Sequence, residues 1–104
     1  MDKRQIIKNY IWDNYRYNPG YYAIKKDYFM EYSFEHWACE EILYRLALLS
    51  DRDPLYVIQD YIYESQNCLK IAKRHNGKYP TATIIFSTAI AVGRDIEELL
   101  RAMR

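Results

Sequence analysis

The chain is poor in most of the features that announce a function. It holds only two cysteines in 104 residues, Cys39 and Cys68. They form no CxxC pair and permit at most one bridge, so both are expected to be reduced, small hydrophobes rather than a framework. Glycine and proline are equally scarce, three of each, and no internal repeat, low-complexity tract or linker is visible. Gly20, Gly77 and Gly93 stand alone, which removes the P-loop and GxGxxG and with them a phosphate-cradling loop. GxSxG and HExxH are missing too. The longest nearly apolar run, Ile84 to Gly93, is broken by Ser87 and Thr88 and reaches about half the ~20 residues of a membrane span. The opening MDKRQIIKNYIWDNY lacks the continuous apolar region and small-residue cleavage site of a signal peptide. A cytoplasmic protein with no membrane partner is expected. Net charge is small as well, +1, whereas a dedicated nucleic-acid domain is usually strongly basic.

What is present is hydrophobic patterning. Half the residues are hydrophobic, enough for one core in a chain that buries roughly 65% of its unfolded surface. Ile85, Ala89, Val92, Ile96, Leu99 and Met103 recur at alternating steps of four and three, a helix with one core-facing stripe. Leu55, Ile58, Ile62, Ser65, Leu69 and Ala72 make a second, with Asp53 as N-cap, Pro54 as first helical residue and Asn76-Gly77 as the stop. A third runs from Phe34 to Leu49 behind Ser33, with Cys39, Ile42, Leu46 and Leu49 facing inward. The N-terminal third is less regular. Residues 3 to about 16 read as a helix, Asn18-Pro19-Gly20 as a type II turn, and 21–32 as a short helix that could equally be extended. The expected architecture is all-α: one domain, 1–104, a compact bundle of four to five helices with an irregular, tyrosine-rich N-terminal third.

Near-neutrality conceals a division. Residues 1–32 carry +2, residues 33–67 carry −5 and residues 68–104 carry +4. Acidic and basic helices packed side by side account for this, and so does a polarised surface that steers a partner. His36, Cys39 and Glu40 share a helical face and could ligate a metal, but zinc needs three or four ligands. Cys39 is therefore read as core, His36 as a half-exposed first-turn residue, and no cofactor is expected. Glu35, Glu40 and Glu41, and separately Asp95, Glu97 and Glu98, read as solvated surface carboxylates, with Glu97 pairing to Arg94 or Arg101. The basic set Lys70, Lys73, Arg74 and Lys78 sits at a helix end, where the macrodipole favours cations. It also offers a phosphate-contact patch, with Tyr79 nearby to stack on an unpaired base.

Tyrosine is the excess, with 12 of the 17 aromatic residues. Seven lie between positions 10 and 32. Tyr15, Tyr17, Tyr21, Tyr22 and Tyr28, interleaved with Arg16, Lys25 and Lys26, have the composition of an interface hot spot: large rigid area, a polar tip and little rotamer entropy. The segment Tyr17-Asn18-Pro19-Gly20-Tyr21-Tyr22-Ala23-Ile24, followed by the helix from Phe34 and by Asp53-Pro54-Leu55, resembles the small orphan proteins carried by phages and conjugative elements of Gram-positive bacteria. That group includes inhibitors of CRISPR–Cas nucleases. Many such inhibitors are acidic mimics of nucleic acid, a pattern from which this chain at +1 departs. The resemblance implies inhibition by occupying a protein surface, for example blocking guide-RNA loading or assembly.

The expected function is thus a non-enzymatic inhibitor or modulator that docks a protein partner, such as a Cas nuclease, through residues 15–28. A small nucleic-acid-binding regulator using Lys70, Lys73, Arg74 and Lys78 is the alternative, and a homo-oligomeric structural protein a further one.

Overall fold

The computed structural model describes residues 2–15, 34–75 and 77–103. Among them are four helices and no strand: α1 (Lys3–Asn14), α2 (Phe34–Leu48), α3 (Pro54–Arg74) and α4 (Pro80–Ala102). The all-α bundle read from periodicity is the architecture found. The segment 21–32, expected as a short helix, and the Ser33 cap lie outside the described residues.

Local chemistry sets the helix ends. Asp53 is extended at φ −60°, ψ 129°, and its carboxylate accepts from the Leu55 amide, while Pro54 occupies the first turn. That satisfies an amide the helix itself leaves open. At the other end of α3 the His75 amide closes on Ala72 and Lys73, and Gly77 turns the chain at φ +77°. A side chain is disfavoured in that left-handed region, so glycine stands there for a conformational reason. α4 then starts on Pro80.

α3 and α4 are the long pair and share the largest interface. They run antiparallel, since Gly93 approaches Ile62 far from the turn while Ala82 and Ala72 share a cleft next to it. α2 packs mainly on α4 and less on α3, and α1 lies against α2 with Tyr10 reaching Asp95 of α4. Ile7, Ile42, Ile58 and Ile96, one from each helix, are completely buried. The α3 stripe is as expected, with Leu55, Ile58, Ile62, Ser65 and Ala72 buried. The α4 stripe differs at its end: Leu100 is buried and Leu99 only half-buried. After Ile96 the buried face continues at i+4, Leu100, where the sequence stripe takes i+3, Leu99; both steps fall on one side of a helix, so periodicity alone does not choose between them.

Polar contacts hold the shorter helices. Arg4 of α1 donates to the carbonyl oxygens of Leu46, Leu49 (2.9 Å) and Arg52, at and beyond the C-terminal end of α2, where carbonyls lack intrahelical partners and a cation is favoured. Arg45 of α2 grips Glu64 of α3 with two hydrogen bonds of 2.8 and 2.9 Å and lies 4.9 Å over the Tyr61 ring. Hydrogen bonding from Arg45 lowers the Glu64 pKa. The buried Tyr61 hydroxyl has no hydrogen-bond partner among the described residues, a cost of about 1–3 kcal/mol that the stacked guanidinium partly offsets.

Candidate functional site

α3 presents two different flanks to the surface. Gln66, Lys70 and Lys73 lie on one, at helical spacings of four and three, while Cys68, Ile71 and His75 lie on the other. The first flank meets α4 in an open cleft of about 560 Å³, lined by Gln66, Leu69, Lys70 and Lys73 from α3 and by Ser87, Ile90 and Arg94 from α4. Lys70, Lys73 and Arg94 are all exposed. None of them joins an ion pair among the described residues, and no described carboxylate lines the cleft.

The charges lie along a track and do not converge on a point. Gln66 to Lys73 spans seven residues, ~10 Å of helix at about 1.5 Å per residue. Because the helices are antiparallel and Gly93 meets Ile62, Arg94 stands at the Gln66 end, with Lys73 at the end nearest the turn. Leu69 and Ile90 form an apolar floor, and Gln66 and Ser87 add neutral hydrogen-bonding groups. Such a cleft fits an extended anion whose charges repeat along its length better than one small anionic group.

The structure therefore brings Lys70 and Lys73 of the expected basic set together and adds Arg94. Of the two partners the sequence offers Glu97, Arg94 and Arg101, the one it takes is Arg101, at 3.3 Å. Arg74 and Lys78 lie outside the cleft, exposed around the α3–α4 turn. The macrodipole explains cations in the last turn of α3, Lys73 and Arg74. It gives no reason for Arg94, which lies away from both ends of α4. The available signal was its position four residues beyond Ile90, at the edge of the apolar stripe.

Of the expected docking set, Arg16, Tyr17, Tyr21, Tyr22, Lys25, Lys26 and Tyr28 lie outside the described residues. Tyr15 is described, half-buried, and it packs against the core. Its hydroxyl donates to Asp95 Oδ2 at 2.6 Å, and Tyr10 donates to the same oxygen at 2.7 Å. The two rings meet edge to face, with centroids 6.4 Å apart. Asp95 was read as a solvated carboxylate; it is instead the polar anchor of α1 on α4. Its hydrogen bond holds the Tyr10 phenol up at about 12, and burial followed by the same bond raises Tyr15. Tyr15 thus has a structural task that hot-spot composition did not reveal.

Cys39 is 2% exposed and burial pushes its thiol up to about 12, the state of an inert core residue. Its neighbour His36 hydrogen-bonds Glu40 through Nε2 at 2.9 Å. Among the described residues no helix is long and apolar enough to cross a membrane. No protein-family model matches the chain, nor does any curated protein or solved structure.

Proposed function

We propose that this protein is a non-enzymatic binding module that takes the phosphate backbone of a nucleic acid along the α3–α4 cleft. One observation carries the reading: three cations from two helices line a single elongated cleft with no carboxylate among its described walls. Leaving three like charges together lowers stability; a polyanion relieves that repulsion by neutralising them, and the release of its own counterions favours binding. Lys70, Lys73 and Arg94 neutralise phosphates, Gln66 and Ser87 supply hydrogen bonds that fix register, and no base edge is read. Three contacts give weak, salt-sensitive binding by themselves, so the module suits a target that offers protein surface beside nucleic acid. The test is a titration of labelled oligonucleotides across salt, with Arg94→Glu set against Lys8→Glu. Both variants change charge equally, but only the first removes a cleft cation. Equal weakening by the two would mean net charge, and not the cleft, governs binding.

A second reading is supported by the seven tyrosines between positions 10 and 32. Here the chain docks a protein, such as a CRISPR–Cas nuclease, through Tyr17, Tyr21 and Tyr22 and inhibits it by occupying its surface. Replacing these three with Ala should abolish pull-down of that nuclease while far-UV circular dichroism stays unchanged; undiminished capture would reject it. The two readings are compatible on a nucleoprotein target.

A further inference from the structure

The Lys73 end of the cleft lies nearest the α3–α4 turn, and the residues around that turn, reaching the opposite flank of the helix pair, favour one form of nucleic acid. At that end stand Lys70 and Lys73, followed by Arg74 at the end of α3, Lys78 in the turn and then Tyr79. Tyr79 is 47% exposed. Its ring is set edge to face against His75, centroids 5.1 Å apart and planes at 82°, which fixes its orientation while leaving half its surface to solvent. Beside it lies a hollow of about 230 Å³ with nearly apolar walls, including Ile71, Tyr79 and Phe86. Ile71 is also 54% exposed. An aromatic ring over an apolar hollow offers a base a face to stack on, and the cleft cations across the turn offer its backbone charge.

Resting on the nucleic-acid reading above, we infer that the cleft takes a single strand, and that Tyr79 stacks on an unpaired base where the strand leaves the cleft at Lys73 and rounds the turn past Arg74 and Lys78. A duplex fits this surface poorly. Its bases are already stacked and present no face to Tyr79. Proteins that read duplex DNA project a helix or ribbon into a major groove about 12 Å wide, whereas here the cations Lys70, Lys73 and Arg94 flank a concavity. Tyr79 is then the residue that sets preference for unpaired strands, and the cleft cations serve both forms.

The experiment compares labelled oligo(dA) with its duplex with oligo(dT), by anisotropy, on the full chain. Wild type should bind the single strand more tightly. Tyr79→Ala should lose about tenfold on the single strand, the effect of one lost stack, and nothing on the duplex. Tyr79→Phe, which keeps the ring and removes the hydroxyl, should retain wild-type affinity and shows that the ring itself is responsible. Arg94→Glu should weaken both ligands. If Tyr79→Ala is neutral, or weakens both ligands alike, while Arg94→Glu still matters, the stacking role is overturned and the cleft reading stands. If wild type binds neither ligand, the cleft reading falls and the preference with it.

Discussion

Asp95 shows how much of this protein is decided by single polar groups at long range. One carboxylate oxygen receives two phenols, from Tyr10 and Tyr15, 85 and 80 residues away in sequence. α1 buries only Ile7 and Ile11, so these bonds and the Arg4 clamp are a large part of what seats it. Hydrogen bonds to a charged acceptor contribute about 1.5–3 kcal/mol each, less at a half-wet site. Asp95→Ala is therefore expected to cost about 2 kcal/mol, read as a lowered urea midpoint, and Asp95→Asn less because one acceptor remains. An unchanged midpoint for Asp95→Ala would show that α1 is held by packing alone. The anchor also has an alkaline limit. Tyr10 ionises at about 12 in the folded chain against an ordinary value near 10. Its contribution is complete below pH ~10 and is lost as pH rises toward 12. Neither Asp95 nor Arg4 was legible as an anchor in the sequence, since their partners come from other helices and no local pattern records them.

The helices themselves were legible because their determinants are local. Asp53, Pro54 and Gly77 mark the ends of α3 within a few residues, and the three-four spacing of its stripe survives folding unchanged. Leu99 and Leu100 were not told apart because the i+3 and i+4 steps from Ile96 lie on the same side of a helix, and only packing against the other helices chooses between them. Gly93 gives the element-scale prediction. A Cβ built there would lie 2.7 Å from Ile62 Cγ1, an atom close to its own backbone and unable to swing far. Alanine gains about 1 kcal/mol of helix propensity over glycine, but overpacking a filled core costs about 1–3 kcal/mol. The steric cost should win: Gly93→Ala should lower the urea midpoint modestly and Gly93→Val severely. A stabilised Gly93→Ala would mean that α3 and α4 cross with room to spare.

Across the whole molecule, the near-zero net charge hides the arrangement that matters. The basic C-terminal third does not simply neutralise the acidic middle. Arg45 and Glu64 bridge α2 and α3 within the acidic stretch, and Arg101 pairs along α4, while Lys70 and Lys73 of α3 and Arg94 of α4 line one cleft with no ion-pair partner among the described residues. Two of those three cations, Lys70 and Lys73, were visible in sequence as a basic helix end; Arg94 became visible only when the antiparallel pairing of α3 and α4 brought it alongside. The measurement that tests this account most directly is the salt dependence of single-strand binding. At about 0.7 per phosphate contact, three cleft cations predict a log–log slope near −2, steepening toward about −3.5 if Arg74 and Lys78 also engage. Arg94→Glu should flatten it by at least about 0.7, while Lys8→Glu leaves it unchanged. A slope near zero, or one that Arg94→Glu does not alter, would contradict the cleft as the working surface of this protein.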